Sequence, residues 1–180
     1  DRLRGDTHFV LIKDLHGPWI EAAQVLSRLS YRYVETEPNM VLTLAADWRN
    51  YDDYLASLTA KYRANVRNQI FKPLDAAGCV VEHLSDVAPV QERIFELYKA
   101  VQVNAAVRPF ELRPGYFAAL QGVAGARFLC SVLRRDGHIL GFLISLADGD
   151  TGIAYHVGFD REAAAELPIY LRLLHASIAD

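Results

Sequence analysis

A tyrosine and a histidine stand side by side at Tyr155-His156, inside the short apolar run Thr151–Phe159. A phenol can give a proton and a neutral imidazole can take one near pH 7, so the pair is a candidate acid and base. The run has strand composition, and strict alternation predicts the two side chains on opposite faces. A packed core tyrosine and a hydrogen-bonded strand histidine would use the same residues. A second group, Asn104, Arg108, Glu111, Arg113 and Tyr116, falls in a break between two helical patterns. Polar and aromatic residues concentrated on a loop suit ligand recognition, or a solvated loop with its arginines paired to Glu111. A third group, Lys61, Arg63 and Arg67, projects from a helical stretch, with Arg63 and Arg67 four apart. They could hold a phosphate or carboxylate, or form a solvated face, or pin their helix to the core.

Other chemistries lack their residues. The six histidines (His8, His16, His83, His138, His156 and His175) show no metal-ligand spacing, so no metal is expected. There is no Gly-x-Ser-x-Gly elbow and no P-loop. Cys79 and Cys130 lie in strand-like runs without CxxC spacing, which predicts buried free thiols. A net charge of −3 gives no field toward DNA, and no apolar run reaches bilayer length. The start, Asp1-Arg2-Leu3-Arg4-Gly5-Asp6, has no apolar segment behind its charges, and a cytoplasmic location is expected. The chain begins without Met and ends at Ala179-Asp180 in a helical run lacking a cap signal, which predicts an excerpt of a longer protein.

The elements that must position these groups follow from periodicity. His8–Lys13, Tyr31–Thr36 and Met40–Leu44 read as strands around a helix at Trp19–Leu29, with a turn at Glu37-Pro38-Asn39. Leu55, Leu58, Tyr62, Val66 and Ile70 predict one long amphipathic helix or two in tandem, kinked at Pro73. Cys79–Leu84 reads as a strand, and Asp86 as the cap of a helix carrying Val87, Val90, Ile94, Leu97, Tyr98 and Val101. After the break Asn104–Pro109 and a short helix near Pro114–Gln121 come strands at Arg127–Arg134, Ile139–Ala147 and Thr151–Phe159. Asp136-Gly137 and Asp148-Gly149-Asp150 between them predict an antiparallel meander. A helix from about Pro168 closes the chain.

Three stretches carry a family likeness. Tyr51-Asp52-Asp53-Tyr54-Leu55-Ala56-Ser57-Leu58 is followed by Lys61-Tyr62-Arg63-Ala64-Asn65-Val66-Arg67. Gly141-Phe142-Leu143 follows a hairpin, and Tyr155-His156-Val157-Gly158-Phe159-Asp160 precedes a helix. Together they resemble the GNAT-fold acyltransferases of the FemAB-like and CelD-like branch. The resemblance implies an α/β fold, a mixed, mostly antiparallel sheet flanked by helices. It implies the C-terminal part of a preceding GNAT-like half over residues 1–46, or completing strands of the same sheet. Connecting helices would cover 47–78, and the first part of a second GNAT-like domain 79–180.

It also implies N-acyl transfer from an activated donor, acyl-CoA first, to a primary amine on a small molecule or peptide. The final strand would part from its neighbour beside Tyr155, which would protonate a leaving thiolate while His156 takes the amine proton. Val157, Gly158, Asp160 and Arg161 would lie against the donor, and the loop from Asn104 to Tyr116 against the acceptor. One departure is plain: the stretch Asp160–Pro168, where the family commonly places a glycine-rich diphosphate loop, has no glycine and three carboxylates. A catalytically silent recognition module and an aminoacyl-tRNA-dependent transferase are the alternatives. The net charge does not favour a tRNA partner.

Overall fold

A computed structural model describes residues 10–12, 15, 17–35, 40–103 and 111–180. The chain divides into two compact units, Asp1–Leu44 and Ala45–Asp180.

In the first unit Pro18 opens helix α1 (Pro18–Ala23), where a missing N–H costs nothing. The helix tightens into a 3-10 turn over Gln24–Leu29 and stops at Ser30, whose φ is 67°. The strands expected at Tyr31–Thr36 and Met40–Leu44 do not form over their described residues, nor does that at His8–Lys13 over residues 10–12. β-forming composition supplies a preference for a pleated, half-buried surface, but a strand needs a hydrogen-bonding neighbour, and among the described residues none pairs with these stretches. The turn at Glu37-Pro38-Asn39 lies outside the described residues.

The second unit is a four-stranded antiparallel sheet between two layers of helices. β1 (Val80–His83), β2 (Phe128–Arg135), β3 (His138–Asp148) and β4 (Thr151–Phe159) pair in that order. The β2–β3 turn places Asp136 and Gly137 both at positive φ, 50° and 79°, as a two-residue hairpin asks. At the β3–β4 turn only Gly149 is positive, φ 62°. Alternation along the strands, shifted once by a bulge at Leu140 in β3, sorts two cores. Cys130, Val132, Phe142 and Ile144 face α5 (Gln91–Gln102) and α6 (Tyr116–Ala124). Leu133, Leu140 and Leu143 face α8 (Ile169–Ala179) and the helices over residues 51–76.

Those helices are several rather than one. α2 (Tyr51–Ser57) is capped by the Asn50 side chain, which accepts from the N–H groups of Asp52 and Asp53. Leu58 is extended, and Thr59 caps α3 (Ala60–Asn65). The winding widens to a π turn over Val66–Phe71 and returns to α in α4 (Lys72–Ala76), which carries Pro73 in its first turn. A wide turn relieves the clash that a proline ring makes with the preceding carbonyl, so winding continues through Pro73. A further helix, α7 (Arg161–Glu166), occupies part of the stretch where the resembling family commonly places a glycine-rich loop. Its glycine-free, alanine-rich sequence winds because Asp160 caps it. Among the described residues no helix is long and apolar enough to cross a membrane.

Candidate active site

β4 is an edge strand: its described partner is β3 alone. The two pair from Asp148↔Thr151 to Gly141↔Phe159, so the final strand does not part from its neighbour as expected. What interrupts the ladder is a bulge. Ile144 faces His156 and the next residue, Ser145, faces Ala154, leaving Tyr155 as the extra residue. A bulge breaks alternation and re-aims side chains.

The consequence is a correction to the predicted geometry. Tyr155 and His156 do not diverge to opposite faces; their rings meet edge-on with centroids 4.4 Å apart. Tyr116, in the first turn of α6, touches both. Its hydroxyl lies 3.4 Å from that of Tyr155, and its ring packs edge-on against His156 at 5.7 Å. Tyr98 and Phe117 complete an aromatic wall around the imidazole.

This wall sets the chemistry of the pair. His156 Nε2 is buried without a hydrogen-bond partner. An imidazolium there would bury a charged N–H with no acceptor, so burial lowers the pKa below 6.5 and the ring is neutral at pH 7. Burial and the contact with Tyr155 push the Tyr116 phenol up to about 12, so it keeps its proton. Tyr155 itself is 46% exposed, at the solvent end of the group.

Other sequence-predicted residues have other surroundings. Glu111 and Arg113 are exposed just before α6, and the Arg113 carbonyl accepts from the Tyr116 N–H at 3.1 Å. Asn104 and Arg108 lie outside the described residues. Arg63 is committed elsewhere: its Nη1 donates to the carbonyls of Leu55, Ala56 and Leu58 at 3.3, 2.9 and 2.9 Å, tying α3 to the end of α2. Arg67 and Lys61 are exposed. Val157 packs into the α8-side core. Gly158 is buried, and a Cβ there would lie 2.7 Å from the α5 backbone at Leu97 and Tyr98. Its lack of a side chain thus serves helix–sheet contact, a reason that a reading for donor binding had not supplied.

The turn from β4 into α7 is filled from within. Asp160 Oδ1 accepts the N–H groups of Glu162 and Ala163, both at 3.1 Å. Its other oxygen accepts from Nη2 of Arg93 on α5 at 3.2 Å. The backbone bonds and the guanidinium hold this carboxyl below the usual range despite some burial. Arg93 was not singled out in the sequence. It lies 67 residues from Asp160, and no local pattern announces such a pair. Arg161 is exposed at the start of α7.

A serine, a histidine and an aspartate also meet at the far end of the sheet. Ser131 Oγ lies 2.7 Å from Asp180 Oδ2 and 3.2 Å from His83 Nδ1, and the same Nδ1 is 3.2 Å from Asp180 Oδ1. A working triad uses one imidazole nitrogen for each partner. Here one nitrogen serves both, and Ser131 is fully buried, so this is a structural knot. A wide depression of about 680 Å³ beside it, lined by His83, Ser85, Gln121 and Phe128, belongs to the β1–β2 side rather than to Tyr155. Among the described residues no cluster of His, Cys, Asp or Glu could hold a metal ion.

The family model for the acetyltransferase (GNAT) domain matches residues 60–180, well over half of the chain. The chain belongs to the GNAT family. No curated protein matches it. As a GNAT-family N-acyltransferase it is expected to use acyl-CoA as co-substrate in the general way of that family. The described turn after β4 does not suit the diphosphate of such a donor. The N–H groups of Glu162 and Ala163 already bond a carboxylate, and Phe159–Pro168 holds no residue at positive φ from which an anion-binding nest could form.

Proposed function

We propose that this GNAT-family N-acyltransferase moves an acyl group from a thioester donor, acyl-CoA first, directly onto a primary amine, with Tyr155 and His156 as the proton-transfer pair. The bulge in β4 carries this reading, because it is what gathers Tyr155, His156 and Tyr116 on a strand paired on one side among the described residues.

The amine nitrogen attacks the thioester carbonyl carbon, the C–S bond breaks, and an amide and a thiol result. The proton lost by nitrogen goes to the neutral His156, and the departing sulfur takes one from Tyr155. The count closes when the imidazolium returns its proton to the phenolate, either across their ring contact or through solvent. Tyr116, which keeps its own proton, orients the Tyr155 hydroxyl. No covalent enzyme intermediate is required, since holding donor and acceptor together supplies much of the acceleration. Glu111 and Arg113, ahead of α6, are proposed to face the acceptor, a small-molecule or peptide amine.

The FemAB-like and CelD-like assignment rests on the motifs between Tyr51 and Asp160. With it goes the reading of residues 1–46 as part of a preceding GNAT-like half and of 79–180 as the opening of a second.

Thiol release from a panel of acyl-CoA esters, with amines as acceptors, tests the proposal. Tyr155→Phe is expected to lower kcat about 100-fold, in the range of general-acid contributions. Full activity in both Tyr155→Phe and His156→Gln would refute the assignment.

A further inference from the structure

Asp160 opens the stretch where the family resemblance implies a donor's diphosphate. It is not a loose surface carboxylate. Its backbone N–H donates to the Leu140 carbonyl at 2.7 Å, extending the β3–β4 ladder by one bond. One side-chain oxygen takes the N–H groups of Glu162 and Ala163, and the other takes Arg93. Arg93 is itself fixed, with Nε donating to the Ile139 carbonyl at 3.1 Å and Nη1 to Glu96 at 3.1 Å. The Arg93 guanidinium and the Glu162 and Ala163 N–H groups are therefore already bonded to protein anions or carbonyls. Glu162 and Glu166 add negative charge on the same six-residue helix, against Arg161 alone. A diphosphate arriving here would have to displace a carboxylate from three bonds and face two more.

We propose that Asp160 is a built-in substitute for the donor's diphosphate, so that the enzyme recognises its donor by the acyl thioester end and is indifferent to the carrier beyond the short thiol arm. This deepens the proposed function and rests on it. It widens the donor class to thioesters on any short arm, whether the far end is a nucleotide, a carrier protein or nothing.

Two measurements on the whole chain test it. The first compares kcat/KM for one acyl group carried on CoA and on N-acetylcysteamine, which lacks the nucleotide. The expected ratio is within about fivefold. A preference for CoA above about 30-fold, the size expected where charge-assisted phosphate bonds contribute, would overturn the proposal. The second follows the amide resonances of Glu162 and Ala163 during titration with CoA and with adenosine 3′,5′-diphosphate. Silence up to millimolar nucleotide is expected, and a saturating shift would overturn the proposal. Were neither thioester consumed, the function reading would fall, while the amide titration would still decide whether this turn is closed to phosphate. In Asp160→Ala the same two amides are expected to exchange faster with solvent; unchanged protection would also count against the assignment.

Discussion

Tyr155 owes its position to one extra residue in β4. Sequence supplied the tyrosine, the histidine and the strand, because composition and hairpin spacing are local signals. It could not supply the bulge, since a one-residue slip between strands depends on how Ile144 and Ser145 are paired across the sheet. Arg63 and Arg67 make the same point. Their spacing of four suggested a shared face, yet Arg63 turns inward to three carbonyls while Arg67 stays exposed. Those carbonyls lie at the end of α2, where intrahelical donors run out. Arg63→Met is therefore expected to lower unfolding free energy by about 1–3 kcal/mol, the cost of stranding acceptors bonded to a charged donor. Arg67→Met should stay within about 0.5 kcal/mol. Urea unfolding of the two variants checks both; equal effects would return Arg63 to the solvated face.

Elements are legible where the chain carries its own punctuation. Asp136-Gly137 makes its turn with two positive φ angles, and the antiparallel meander follows from it. α7 escaped notice because Asp160 serves two functions at once, ending β4 and capping the helix after it. The strands expected before Leu44 do not form over their described residues, because pairing depends on a distant neighbour that no window of sequence can show. Helix and sheet meet most tightly at two glycines, and the contacts differ in kind. A methyl at Gly141 would meet side-chain carbons of Ile169 and Leu173 at 2.8 and 3.0 Å. At Gly158 it would meet the Phe142 ring at 2.5 Å and the α5 backbone at 2.7 Å. Side chains can change rotamer, whereas a packed helix must move as a body. Gly158→Ala is thus expected to destabilise by about 3 kcal/mol, toward the upper end of overpacking costs, and Gly141→Ala by less. Reversal of that order in denaturant midpoints would show that α5 yields more easily than α8.

Across the whole chain, acid should weaken the fold. Burial lowers the pKa of His156, and burial together with Arg172 lowers that of His175, whose Nδ1 lies 2.7 Å from the Tyr51 hydroxyl. For both groups the unfolded chain binds the proton first, near pH 6.5, so stability is complete above that pH and is lost as pH falls through the lower folded values. Denaturant unfolding should give a smaller free energy at pH 5 than at pH 7, and His156→Phe should shrink the difference. A flat profile would mean that the two imidazoles are open to water. Stability is also unevenly shared between the units. None of the described residues in Asp1–Leu44 is buried, while the second unit holds both cores. Residues 45–180 alone are expected to unfold with the midpoint of the full chain, as burial is the main source of stability. A large drop in that midpoint would assign the first unit a share it does not show.

The bulge in β4 leaves a signature in time as well as in space. Along an edge strand every second amide is locked in the ladder and its neighbours face outward, so deuterium uptake over Thr151–Ala154 should alternate between slow and fast. At Tyr155 the beat must skip, because the inserted residue shifts the phase before His156 resumes it. That skip would mark, in a measurement blind to side chains, the spot where the strand gives up regularity to present a phenol to solvent.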